Sequence, residues 1–484
     1  MNNMKNQEPK ALWNYFYDLT QIPRPSGKKE EISAFLANFG KSLGLETIVD
    51  AIGNVIIRKP AYKGYEDHPG VVLQGHMDMV PQKNNAVAFD FEKDPIRAYV
   101  EENGEWVTAD GTTLGADNGI GIAAAMAILA DKDAVHPPLE VLVTVDEETG
   151  MYGAEALEGG LLQAQTLLNL DSESEGELYI GCAGGIDTTA TFDYTPVAVE
   201  EGDIALEITL TGLKGGHSGC DINLQRANAN KLLFRFLKDA VANYEARLAS
   251  VEGGSLRNAI AREASAVITI PAAAKDEVLE LLADYENLFI KEYEGVETNI
   301  SMTAKEVVCP QEELPEDVQD FLIHAICACP HGVFRMIPEM PEVVETSNNL
   351  STIKTENNQI TVLCLTRSSV ESRKTELCEM IQSVFALAGA NVKFSGAYPG
   401  WKPNVNSRVL EIMKTTYNTL YGKTPNIITI HAGLECGILG SNYPNMDMIS
   451  FGPTIQYPHS PDERVNIASV QKFYEYLQAT LKAL

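Results

Sequence analysis

Imidazole and carboxylate side chains gather in five short stretches of this 484-residue chain: LQGHMDMV (73–80), LGADNGIG (114–121), VTVDEETGMYGA (143–154), LLNLDSESEGEL (167–178) and YPHSPDE (457–463). None of them contains cysteine. Nitrogen and oxygen donors of this kind suit zinc, cobalt or manganese better than a thiolate site would. Hydrolysing an amide near neutral pH needs an activated water and a polarised carbonyl, and two cations about 3.5–4 Å apart can supply both. Cations that close repel unless an anion stands between them, and Asp117 is the candidate bridge. One metal is assigned to His76, Asp117 and Asp171, the other to Asp117, Glu148 and His459.

Two further acids lie beside these ligands. Asp78 is two residues beyond His76, and in an extended segment such residues project to the same side. Its carboxylate is expected to reach the distal nitrogen of His76 and fix the tautomer. Glu147 and Glu148 are adjacent, so an extended chain points them apart. Glu148 binds metal, while Glu147 faces the water as general base and later passes the proton to the leaving amine. A Glu-Glu pair is commonly a solvated surface pair; this one differs in following a buried strand. Among the remaining histidines, His68 and His136 sit beside prolines and read as surface residues. His324, on an apolar helix face, and His331, after Cys-Pro, read as structural.

For these stretches to meet, the elements carrying them must end at one edge of one sheet. Strand candidates fall at 54–58, 70–74, 139–145 and 166–170. The last two are nearly continuous apolar runs, as in a parallel sheet. An apolar helix, IGIAAAMAILAD, follows a loop at 113–119. Another helix starts near Lys28, with Ser26 placed to cap it. His76 and Asp78, then Glu147 and Glu148, then Asp171 each follow a strand end, where open α/β sheets build their sites. After Gly185 the texture changes: strands at 204–210, 266–270 and 299–304 alternate with helices at 228–248 and 276–292. The expected architecture is α/β: a catalytic domain (1–186 and 398–484) with a mixed, largely parallel sheet flanked by helices, and an inserted α+β domain (187–397) whose sheet is covered mainly on one face.

Composition narrows the function classes. With 37 basic and 67 acidic residues the formal charge is −30, which argues against nucleic acid and against an anionic membrane as partner. No apolar run approaches the ~20 residues that span a bilayer, and the first residues show no apolar core of a signal peptide. The eight cysteines are scattered, unlike a secreted disulfide framework, and Cys327 and Cys329 read as reduced, packed thiols. A cytoplasmic location is expected.

The ordered clusters resemble the M20 family of metallopeptidases. That pattern runs His-x-Asp, Gly-x-Asp-Asn/Asp-Gly, a Glu-Glu pair, an Asp or Glu, and a distal His. Here it is matched by His76-Met77-Asp78, Gly115-Ala116-Asp117-Asn118-Gly119, Glu147-Glu148, Asp171 and His459. The stretches GHMDMV, GADNGIGIA, DEETGMYGA, KGGHSG, TSNN, HAGLECG and SPDERV are similar in particular to the members that cleave aminoacyl-histidine dipeptides. The resemblance covers nearly the whole chain. It implies two zinc ions per subunit, dipeptide substrates including β-alanyl-histidine, and an inserted lid domain. It also implies that His217 stabilises an oxyanion or grips the substrate and that Arg367 binds the substrate's C-terminal carboxylate. Asn348, Gly433 and Glu435 are expected in the pocket, and His431 beside it without binding metal. The inserted domain is long enough to close the site within one chain or to join two copies as a homodimer.

Two other functions use the same residues. An N-acyl amino acid amidohydrolase would share the metal centre and differ in its pocket. A non-catalytic metal- or peptide-binding protein would have no use for a general base at Glu147.

Overall fold

The structure is a computed structural model and describes residues 4–484. The chain divides into two compact units. The first comprises Met1–Gly181, Pro403–Thr429 and Leu434–Leu484; the second comprises Cys182–Lys402 and Ile430–Gly433. Among the described residues no helix is long and apolar enough to cross a membrane. Cys327 and Cys329 are free thiols, Cys329 buried and Cys327 half-buried.

In the first unit, the apolar strands Val71–His76 and Leu139–Thr144 are buried along their whole length. Both faces must therefore be covered, which suits the centre of a parallel sheet. They pair in parallel from Val71↔Leu139 to His76↔Thr144, and Val71–His76 pairs in parallel with Thr166–Asn169 on its other side. Asp447–Ser450 continues the parallel run beside Thr166–Asn169. Toward the edges the pairing turns antiparallel, through Val55–Lys59 and Glu46–Val49 on one side and Glu177–Cys182 on the other. Together with Asn426–Ile430 these strands make an eight-stranded mixed sheet.

The helix Ala116–Ala130 packs on this sheet and against the helix Lys10–Thr20. Its sequence, ADNGIGIAAAMAILA, is small and apolar on every side, and nearly all of it is buried. It starts close over the sheet: a side chain on Gly75 would collide with the Asn118 amide, whose Nδ2 donates to the Leu170 carbonyl at 2.8 Å. A small four-stranded sheet holds the last site element. Its strands Ile455–Gln456 and Arg464–Asn466 form a hairpin, and Arg464–Asn466 pairs onward with Trp106–Ala109.

The second unit is built on a nine-stranded sheet whose pairings are antiparallel, from Ser301–Val307 at one edge to Asn391–Tyr398 at the other. The helices Ala229–Tyr244, Lys275–Glu292, Glu316–Ala328 and Glu371–Leu387 contribute the apolar side chains that meet it in one core.

Several local expectations need correction. Ser26 does not cap a helix: the helix begins at Glu30, and the Ser26 hydroxyl donates to Asp78 Oδ2 at 2.8 Å. The helix expected over 228–248 ends at Tyr244, because the chain turns at Glu245 (φ 54°) to start the strand Arg247–Gly253. His136 is buried rather than on the surface, and His324 is exposed rather than packed.

Candidate active site

Three parallel strands and two loops of the first unit deliver the expected ligands to one place. His76 closes Val71–His76, Glu148 lies in the turn after Leu139–Thr144, and Asp171 follows Thr166–Asn169. Asp117 sits where the helix Ala116–Ala130 departs from helical dihedrals, and His459 sits in the 457–463 hairpin loop at φ 60°. Asp117 turns one oxygen to each histidine: Oδ1 is 3.1 Å from His76 Nε2, and Oδ2 is 3.2 Å from His459 Nε2. Asp171 Oδ1 lies 3.2 Å from His76 Nε2, and Glu148 Oε1 lies 3.0 Å from His459 Nε2. The donor atoms of His76, Asp117 and Asp171 fall within 4.8 Å of one another, as do those of Asp117, Glu148 and His459. His76, Glu147 and Glu148 form a third group of this kind, so Glu147 stands against both sets.

The electrostatics call for cations here. Glu148 Oε1 and Asp171 Oδ1 are buried and have no hydrogen-bond partner beyond the histidine nitrogens that face them, which is expensive for a carboxylate. Burial pushes Asp171 up to about 7, and burial with the charges of Asp171, Glu435 and Glu148 holds Glu147 well above the usual range. Hydrogen bonds to Asp117 and Glu148 push His459 up to about 11. Burial opposes a charge on His76, yet Asp171 and Asp117 outweigh it and hold the imidazole well above its ordinary value. Positive charge must enter this cluster, as protons on the imidazoles or as metal ions in their place. Two triads of nitrogen and oxygen donors sharing one carboxylate fit a pair of divalent cations.

Asp78 does more than was expected of it. His76 Nδ1 has its nearer acceptor in the Asp78 carbonyl, at 3.1 Å, while the carboxylate stands at 3.5 Å. That carboxylate instead accepts from Glu147 N at 3.0 Å, Glu148 N at 3.3 Å and the Ser26 hydroxyl. Glu147 and Glu148 are not extended: they open a turn over 147–150, in which Gly150 N and Met151 N both donate to the Glu147 carbonyl. A Thr-Gly pair following the acids is turn chemistry and was legible as such.

Two charged residues of the site escaped the sequence reading. Glu463 is buried and accepts four backbone N–H groups. Oε2 takes Leu114 at 2.7 Å and Gly115 at 2.9 Å; Oε1 takes Ala116 at 2.7 Å and Asp117 at 3.3 Å. Arg24, only 2% exposed, donates from Nη1 to the carbonyls of Met77 (3.0 Å) and Asp78 (3.3 Å), and from Nη2 to that of Gly115 (2.5 Å). Neither lies next to a ligand in sequence, and no local pattern marks a buried arginine.

Glu435 belongs to this unit and is buried at 1% exposure. Its Oε2 accepts from Gln74 Nε2 at 2.5 Å and from the Thr144 hydroxyl at 2.8 Å, both on the central strands.

The other expected pocket residues lie in the second unit. His217 Nδ1 accepts from the N–H groups of Gly219 (3.1 Å) and Cys220 (3.0 Å). The ring proton is therefore on Nε2, and burial with the nearby Arg367 keeps the imidazole neutral by lowering its pKa. Arg367 is buried, with Nη1 donating to the Tyr398 hydroxyl at 2.8 Å and Nε 3.4 Å from Ser218 Oγ. His431 Nε2 is 2.8 Å from Ser347 Oγ, and burial pushes its pKa down to about 3. Asn348 is fully buried with both ends used, by the Pro330 carbonyl and the Thr366 hydroxyl. Gly433 is half-buried, just before the helix Glu435–Asn442. A neutral N–H donor and a guanidinium close together can receive an anion.

Residues 72–483 match the model of peptidase family M20/M25/M40. The chain is 46% identical to the cytosol non-specific dipeptidase of Escherichia coli (strain K12), over 100% of this chain and 99% of that one. A solved structure, the aminoacylhistidine dipeptidase from Vibrio alginolyticus, superposes with a TM-score of 0.95 at 50% identity, covering 99% of this chain and 98% of the other. An aminopeptidase PepT structure from Bacillus cereus shares the fold, with a TM-score of 0.58 at 16% identity and 99% coverage of both chains.

Proposed function

Because the chain belongs to peptidase family M20/M25/M40 and is a metallopeptidase, we propose that it is a cytosolic dipeptidase acting through two metal ions, with Xaa-His dipeptides such as β-alanyl-histidine among its substrates. The observation that carries this reading is Asp117 with one oxygen toward each of two histidine-carboxylate sets, and Glu147 beside both without being needed in either.

His76, Asp117 and Asp171 would hold one cation; Asp117, Glu148 and His459 would hold the other. Zinc suits these donors, and cobalt or manganese also accept them. Divalent cations bound there polarise a carbonyl and make water more acidic. Glu147 takes a proton from the attacking water and returns it to the leaving amine nitrogen. Asp78 holds the turn that aims Glu147. Arg367 is assigned to the substrate's C-terminal carboxylate. His217, a neutral Nε2–H donor, is assigned to the developing oxyanion. Asn348, Gly433 and Glu435 are assigned to the substrate pocket: both ends of the Asn348 amide are taken up by the protein, whereas Glu435 holds its two donors on Oε2 and leaves the buried Oε1 without a hydrogen-bond partner.

The test is elemental analysis of the purified protein together with hydrolysis of a dipeptide panel that includes β-alanyl-histidine, run beside N-acyl amino acids. Two equivalents of metal with dipeptide cleavage support the proposal. Cleavage of N-acyl amino acids alone would favour the amidohydrolase, and metal binding without hydrolysis of either class would favour a binding protein.

A further inference from the structure

The bridging carboxylate has to stand at a set distance from two histidines that reach it from opposite ends of the chain. Asp117 follows Leu114 and Gly115, which have no regular secondary structure, and Ala116, where the helix begins and then departs from helical dihedrals. That segment is nonetheless held on both sides. Every backbone N–H from Leu114 to Asp117 goes to the Glu463 carboxylate. The Gly115 carbonyl goes to the Arg24 guanidinium, whose other nitrogen holds the Met77 and Asp78 carbonyls just past His76. Glu463 closes the loop that carries His459, and its own N–H donates to the Ser460 carbonyl at 3.0 Å. One residue thus links the Asp117 segment to the His459 loop, and the other links it to the end of the His76 strand.

The glycines of the Gly115-x-Asp-Asn-Gly119 cluster answer to the same device. A methyl group on Gly115 would lie 2.5 Å from Arg24 Nη2, and one on Gly119 would lie 2.7 Å from it and 2.9 Å from the Phe16 ring. Both glycines make room for a guanidinium supplied from a distant loop.

We propose that Arg24 and Glu463 are positioning residues that set the place of the Asp117 carboxylate between His76 and His459, and thereby the ability of the site to hold two cations at once. This rests on the two-metal reading above. Neither side chain touches substrate or metal; each acts through the backbone of residues 114–117.

The test uses the full chain stripped of metal and titrated with Co²⁺, followed by visible absorption and calorimetry, with thermal melting and dipeptide kinetics alongside. In Glu463→Gln, an amide NH₂ faces backbone N–H groups that need an acceptor. The weaker of the two Co²⁺ sites should lose tenfold or more in affinity, the two-metal absorption spectrum should change, and kcat should fall with KM within threefold. Arg24→Met should do the same. Gly119→Ala displaces the guanidinium without deleting its charge and keeps the test alive should Arg24→Met not fold. Two Co²⁺ ions bound with wild-type affinity and spectrum in the folded variants, even with a lower melting temperature, would overturn the proposal by leaving only a structural role. If the wild type binds two Co²⁺ ions but cleaves no dipeptide, the dipeptidase reading fails while the positioning role is still decided by the metal titration.

Discussion

Alanine at position 78 would show which of two tasks its carboxylate performs. Three hydrogen bonds end on it, from Glu147 N, Glu148 N and the Ser26 hydroxyl, at 3.0, 3.3 and 2.8 Å. At about 1 kcal/mol net for each, Asp78→Ala gives up about 3 kcal/mol of ordering in the 147–150 turn. His76 keeps its nearer acceptor, the Asp78 carbonyl at 3.1 Å, in every variant. Metal affinity should therefore drop only toward the low end of the 10–100-fold typical for a lost outer partner. If the 3 kcal/mol appears as misplacement of Glu147, kcat falls about 10²-fold, at 1.36 kcal/mol per decade. Asp78→Asn retains an acceptor for Glu147 N while losing one for Glu148 N, and should fall between. The assay is dipeptide hydrolysis at saturating metal, so that weaker binding is compensated. Full recovery of Asp78→Ala with excess metal would refute the reasoning, because the carboxylate would then act through His76 alone.

Glu147→Gln should bind metal in wild-type amounts and lose 10²- to 10⁴-fold in kcat, the usual worth of a general base; activity within tenfold of wild type would remove it from that role. His331 predicts a pH effect on stability. Burial and then the Lys231 charge lower its pKa from 6.5 to about 4, and its Nδ1 accepts from Leu350 N at 3.3 Å. The unfolded chain takes up this proton at a higher pH than the folded one. The contribution is thus intact above pH 6.5 and is lost as the pH falls toward 4. The melting temperature of His331→Gln should decline less steeply than that of the wild type across that window, and parallel declines would refute the assignment.

Much of the histidine-carboxylate cluster was legible because its chemistry is written locally. His76, Asp117, Glu148, Asp171 and His459 stand in polar clusters that interrupt or follow apolar runs, and a parallel sheet sends such clusters to one edge. The core strands were found within a residue or two for the same reason, since burial on both faces leaves a largely apolar record at 71–73 and 139–144. Legibility stopped where a residue's partner is remote. Glu147 and Glu148 were read as extended from adjacency alone, although the acceptor that shapes their turn is Asp78. His136 and His324 were misplaced because a neighbouring proline or an apolar helix says little about which side of the element faces water.

The amino-acid sequence by itself determined the donor set, its order and the alternation of strands and helices that brings it to one sheet edge, because residue type and short-range periodicity are local quantities. Tertiary structure alone decided that Asp117 turns one oxygen to each histidine, that Asp78 serves the Glu147–Glu148 turn more closely than it serves the His76 ring, and that Arg24 and Glu463 hold the bridging segment from both sides. Those contacts join residues separated by up to 349 positions. Their strength depends on burial and distance, which exist only once the chain has closed on itself.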